Sequence, residues 1–367
     1  MTTKSARSRK NRRDSRFWDD QRRNSQSLGC SRCADIALCG GLHTASSAFD
    51  CTTYCCGQPA TCTIVCPRSS RFVDRVAEVL GFDLQKLDPV RAIPFPSLPS
   101  SVPLVYAKGR RLRPFQPTFA GVSLYQLVTR KGDVRFEHRA DLLEYYGLHS
   151  STRIVASGTE KDPPLERWWQ LSSRRLGLLA QLVEIGVEAA TAPNFSVFSD
   201  VPRWDNFHAM KRIAICWREM LEAGLPCALH VNARSPRDWE RWTEFVRSHD
   251  EIDAIAYELA TGAATRLSYH VDELRNLADR ASRPLKLILR GGISQLSRLR
   301  MSYKEVSIID TSTYMRTVNR KVAVVRESGP LAWINSPERP VVDLSALMEN
   351  NHQAMLRVTA EASKRVP

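Results

Sequence analysis

The chain has 367 residues and a formal net charge of +14, with 43% hydrophobic and 25% charged residues. That balance excludes wholesale disorder, and the length fits two to three domains or one barrel with additions. No run approaches the ~18–20 uncharged apolar residues of a spanning helix, so an integral membrane protein is excluded, and the positive surplus points to an anionic partner.

Residues 1–26 read as a disordered basic arm. Nine Lys or Arg lie between Lys4 and Arg23 against Asp14, Asp19 and Asp20, and no apolar periodicity precedes Phe17 and Trp18. Such an arm is most simply a solvated tail, yet each phosphate it neutralises releases counterions, which makes nucleic acid its expected partner. The arginine pairs suggest export. The stretch from Ser27 to Phe49, however, carries Arg32, Asp35 and several cysteines, and cannot serve as the apolar region of a signal peptide. A cytoplasmic protein with no membrane partner is therefore expected, of open oligomeric state.

Residues 27–87 read as a cysteine-rich module. Cys30, Cys33 and Cys39, then Cys51, Cys55, Cys56, Cys62 and Cys66, follow the spacing C-x2-C-x5-C and C-x3-C-C-x5-C-x3-C-P. In a reducing compartment, gaps of two and three residues let one turn aim two thiolates at one ion. Zinc and an iron–sulfur cluster fit equally well, and free, buried or partly paired thiols are the alternative. The ending at Pro67 resembles the last ligand of bacterial ferredoxin runs. His43 is a substitute ligand, while Cys216 and Cys227 stand apart. A short amphipathic helix over Val73–Leu84 closes this module.

Five prolines between Pro89 and Pro103 fix the backbone in extended form, so residues 88–103 read as a linker. Residues 104–343 then alternate strands and helices, with 344–367 as a C-terminal helix or tail. Strands are expected at Leu104–Ala107, Gly121–Val128, Arg153–Ala156, Val187–Thr191, Cys227–Val231, Ile252–Leu259, Leu285–Leu289, Val306–Ile309 and Val322–Val325. Met210, Ile213, Ala214, Trp217, Met220 and Leu221 recur at helical spacing before Gly224 and Pro226, and Ser235, Pro236 and Asp238 form a helix start. Strand starts roughly thirty residues apart match βα units. The expected fold is α/β, a TIM-like (β/α) barrel, with an open doubly wound sheet as the alternative. No Gly-rich dinucleotide or P-loop motif follows any strand.

Ligands in either fold bind at the carboxyl ends of the strands. That rule selects Asn194, Ser196 and Asp200; His230, Asn232 and Arg234; Glu258 and Thr261; Arg290, Gly291 and Gly292; and Asp310, Thr311 and Ser312. Asp200 and Ser235 read as helix caps. Glu258 and Asp310 end apolar runs, where a carboxylate is costly unless paired or used, so they are candidate acid, base or nucleophile, or else a salt bridge to Arg290 or Arg234. His230 is an acid/base, a ligand or a satisfied core histidine. Gly291 and Gly292 beside Arg290 suit an anion nest, or a tight turn. Arg316, Arg320 and Lys321 read as a solvated face. Most tryptophans fall at packing positions, with Trp204 as the expected surface or ligand contact.

The segment from Thr191 to Pro202, TAPNFSVFSDVP, resembles a P-[DN]-F-S-x-[YF]-x-D-x-P motif of a family of uncharacterised proteins from bacteria, phages and mobile elements. The stretch from Leu285 to Arg316, with Gly291-Gly292 and Ile309-Asp310-Thr311-Ser312, is loosely similar to the closing strands of the tRNA-guanine transglycosylase superfamily. That second resemblance implies nucleobase exchange by an aspartate nucleophile, and zinc. In the transglycosylases the metal site follows the barrel, whereas the cysteines here precede it. The expectation is a metal-containing barrel acting on nucleic acid or a nucleotide-like anion. Asp310, Glu258 and His230 would be catalytic, and Asn194, Ser196, Asn232, Arg290, Gly291 and Gly292 substrate-binding. The alternatives are a non-catalytic nucleic-acid-binding or regulatory protein of a mobile element, and an iron–sulfur redox enzyme.

Overall fold

A computed structural model describes residues 25–26, 28–32, 43–44, 75–198, 203–325, 331–336 and 343–364. Eight parallel strands follow one another around a sheet: β1 (Ser101–Pro103), β2 (Phe119–Ser123), β3 (Arg153–Ser157), β4 (Val187–Thr191), β5 (Cys227–His230), β6 (Ala254–Glu258), β7 (Lys286–Arg290) and β8 (Glu305–Asp310). From β2 to β8 each strand pairs with the next, and β8 pairs with β1. The ring nearly closes where Leu104 bridges Gly121 in parallel, with Val105 N donating to Gly121 O at 2.8 Å. This is the strand order of a TIM-like barrel.

Helices lie between the strands: α1 (Arg139–Tyr146), α2 (Asp162–Gln170), α3 (Arg174–Glu184), α4 (Arg203–Glu222), α5 (Pro236–Ser248), α6 (Leu267–Ala281), the single turn α7 (Leu296–Leu299) and α8 (Ser312–Val318). The expected start of α5 is present: Ser235 and Asp238 cap each other's backbone amides, with Pro236 in the first turn. Trp168, Trp169, Trp217, Trp239 and Trp242 are buried in the layer between sheet and helices, as their spacing predicts. The Trp204 side chain lies outside the described residues, as do Ser199 and Asp200.

Strand alternation divides the core. Val102, Leu104, Phe119, Val155, Ala189, Ala228, Ala254, Ala256, Ile288 and Ile309 fill the barrel interior together with Phe95. Four alanines among them leave room for the two phenylalanine rings. The residues of opposite parity, such as Ile255, Leu287 and Ile308, pack against the helices.

Several expectations change. The proline-rich stretch is extended, but it is docked across the amino-terminal end of the barrel. Phe95 is buried there, its N–H donates to Asp253 Oδ2 at 2.8 Å, and Lys286 Nζ donates to its carbonyl while pairing with Asp253. The first strand falls at 101–103, before the predicted Leu104–Ala107, because proline-fixed extended backbone can join a sheet from its first strand without donating there. The run at 322–325 is not a ninth parallel strand: β9 (Lys321–Val324) pairs antiparallel with β10 (Ala332–Asn335) beside the barrel.

Residues 75–87 join the barrel body instead of closing a separate module. Trp169 Nε1 donates to Glu78, His208 meets the same carboxylate at 2.8 Å, and Lys211 and Arg241 donate to the carbonyls of Asp83 and Phe82. The last helix, α9 (Leu344–Lys364), packs on α8, β9 and β1. Seven of the eight clustered cysteines lie outside the described residues; Cys30 is buried in a short turn, Cys30–Arg32. Among the described residues no three His, Cys, Asp or Glu side chains group as metal ligands would, and no helix is long and apolar enough to cross a membrane.

Candidate functional site

The interior parity of β5, β6 and β7 brings His230, Glu258 and Arg290 to the carboxyl mouth, one residue above Ala228, Ala256 and Ile288 in each strand's inward set. β6 and β7 place Glu258 directly opposite Arg290, and Glu258 Oε2 lies 3.4 Å from Arg290 Nε. The other oxygen, Oε1, accepts from Ala260 N at 2.9 Å. The Glu258 side chain is only 10% exposed. Burial raises its pKa, against the opposing pull of the Arg290 cation and the Ala260 amide. The salt-bridge reading of Glu258 is therefore present, and its partner is Arg290.

Arg290 also reaches across the barrel, where Nη1 donates to Thr159 O at 2.9 Å. Thr159 Oγ1 lies 3.5 Å from His230 Nε2. His230 is buried, and burial with the neighbouring Arg290 charge pushes its pKa down to about 3 against the Val231 backbone, so the imidazole is neutral at physiological pH.

Asn194 and Asn232 join this group. Asn232 Nδ2 donates to Asn194 Oδ1 at 2.9 Å and to Phe195 O at 3.0 Å, which ties the end of β5 to the loop after β4. A cleft of about 30 Å³ opens among Asn194, His230, Asn232, Arg234, Glu258 and Thr261. That is room for roughly two waters. The mouth as it stands is shut by its own polar contacts.

Two selected residues point elsewhere. Asp310 shares the parity of Val306 and Ile308, which face the helices, and not of Ile309 in the barrel interior. Its carboxylate is buried over the start of α8, accepting from Ser312 N at 2.7 Å, Thr313 N at 3.3 Å and the Thr313 hydroxyl. Burial raises its pKa and these bonds oppose the rise. Ser196 donates to Asp162 Oδ1 at 2.6 Å, at the start of α2.

Gly291 and Gly292 follow Arg290 with φ of +78° and +75°. A Cβ on Gly291 would stand 2.8 Å from Ala260 Cβ and 2.9 Å from its backbone nitrogen. Close approach of two loops thus requires glycine here whether or not an anion visits the turn.

The Ser157-Gly158-Thr159 corner at the end of β3 is the part that the sequence reading misses, because its expected strand ends at Ala156. The corner is tightly held: Gly158 N donates to Thr191 Oγ1 at 2.9 Å, and Gly158 O accepts from Tyr125 OH at 2.8 Å and Asn194 N at 3.0 Å. A small-polar run after a β-branched strand was the available signal. Compared with known proteins, the chain matches no family model and no curated protein.

Proposed function

We propose that the barrel mouth takes a nucleotide-like anionic substrate and that the protein is an enzyme acting there. The observation that supports this most is the divided coordination of Arg290: one guanidinium is shared between the buried Glu258 carboxylate and a neutral carbonyl, beside the Gly291–Gly292 turn and a short helical segment. Loops after the seventh and eighth strands, with a short extra helix, are where barrels of this architecture commonly take phosphate.

An incoming phosphate offers Arg290 a stronger, bidentate partner than Thr159 O. Drawing the guanidinium onto the substrate removes the charge that holds the Glu258 pKa down, and Glu258 becomes the better proton acceptor. His230, neutral and beside Thr159, offers an imidazole hydrogen bond without adding charge. Asn194 and Asn232 would orient the substrate from the β4 and β5 side. No step is routed through Asp310.

The test is calorimetric titration of the full chain with a nucleoside 5′-monophosphate and with the uncharged nucleoside. Arg290→Gln should abolish binding at the mouth. Glu258→Gln should strengthen it, because the phosphate then no longer competes with a carboxylate. Equal binding of the nucleoside, or no difference between Arg290→Gln and wild type, would overturn the reading.

A further inference from the structure

A second cleft, of about 330 Å³, lies outside the barrel between the β2–α1 connection and α2. Tyr125, Arg130 and Arg135 line it from the β2–α1 connection, and Arg167, Trp168 and Leu171 from α2 and its C-terminal end. No carboxylate is in its lining, and none of the three arginines makes an ion pair among the described residues. Nearby Arg174, by contrast, pairs with Asp133 at 3.3 Å. Three like charges around one concavity repel one another unless an anion joins them.

The backbone that carries Arg130 and Arg135 is held in place. Thr129 N donates to Asp133 O at 2.8 Å, Arg135 N to Leu127 O at 2.9 Å, and Arg174 Nη2 to Gly132 O at 2.9 Å, so the turn between Arg130 and Arg135 is fixed at both ends. Arg135 Nε donates to Gln126 O at 2.7 Å, which orients the guanidinium and leaves its terminal nitrogens for a ligand. The size is at the lower end of small-molecule sites, ~300–1,000 Å³.

We propose that this cleft binds a small organic phosphate monoester, its phosphate between the guanidinium groups and its apolar body over Trp168 and Leu171. Forked guanidinium donors match phosphate oxygens, and Trp168 and Leu171 in the lining favour an organic ester over bare phosphate.

Phenyl phosphate and inorganic phosphate serve as probes for calorimetry on the full chain. Wild type should bind phenyl phosphate more tightly than inorganic phosphate. The combined substitution Arg130→Gln, Arg135→Gln and Arg167→Gln should weaken that binding at least about tenfold. Arg167→Gln alone, on the solvent face of α2, should give a measurable part of the loss if the combined variant folds poorly. Arg290→Gln should remove at most the barrel mouth's share of the binding and leave the share that depends on Arg130, Arg135 and Arg167. Unchanged affinity in the arginine variants, or loss only with Arg290→Gln, would overturn the proposal.

Discussion

Glu258 and Arg290 are unequal partners, and their substitutions should show it. Removing the guanidinium leaves a carboxylate with 10% exposure facing the barrel interior, so Arg290→Met should cost about 2–3 kcal/mol in urea unfolding. Glu258→Gln should cost under about 1 kcal/mol, because its carbonyl keeps the bond from Ala260 N; equal losses would mean the pair is not the local determinant. Gly158→Ala should be severe, since the new Cβ would stand 2.3 Å from Thr191 O and 2.4 Å from Ala192 O, both backbone atoms. A loss above about 3 kcal/mol, or no folded product, is expected by circular dichroism. Residues at this scale were legible where polarity interrupted an apolar run, as at His230, Glu258 and Arg290. Asp310 was legible as unusual but not as outward-facing. Val306 to Ile309 is buried on both faces, with Val306 and Ile308 on one and Ser307 and Ile309 on the other, so an apolar residue on each face leaves the phase weakly marked, and one residue of phase decides which side a carboxylate takes.

The alternation of strands and helices was readable because each unit carries its own period and punctuation; β4 falls where the sequence put it, and α5 begins with the predicted capping box. The segment at 88–100 was not readable in the same way. Proline dictates an extended backbone but says nothing about what that backbone lies against. What it lies against is the barrel floor, where Phe95 enters the interior among alanines and Asp253 accepts from the Phe95 N–H while pairing with Lys286. A linker would tolerate Phe95→Ala within about 0.5 kcal/mol, whereas a plug should lose about 3–4 kcal/mol by urea unfolding. Asp253→Asn should act in the same direction, since it leaves buried Lys286 without its carboxylate. Indifference to both substitutions would return this segment to the status of a tether.

Across the whole molecule, burial disfavours the charged form of His230, His270 and His352, and each contributes a pH dependence of definite sign to stability. Burial pushes His352 down to about 4, and His230 and His270 to about 3. Above pH 6.5 these side chains are neutral in both folded and unfolded chains, and their full contribution is present. As pH falls from 6.5 toward 4 and then 3, the unfolded chain takes up protons that the folded chain refuses, so stability drops by up to about 1.4 kcal/mol per pH unit for each histidine. Glu258, Glu273 and Asp310, whose burial raises their pKa, act with the opposite sign. Comparing wild type with a single histidine variant cancels them. His352 suits the comparison: it stands edge-on to Phe115 at 5.4 Å, and its Nδ1 makes no hydrogen bond. His352→Leu should therefore unfold with a shallower loss of stability between pH 6.5 and 4, by up to about one proton's worth of slope, in urea titrations at fixed ionic strength. Parallel curves for the two proteins would mean that the α9 histidine gains its proton while folded, and that α9 is not sealed against the barrel at that end.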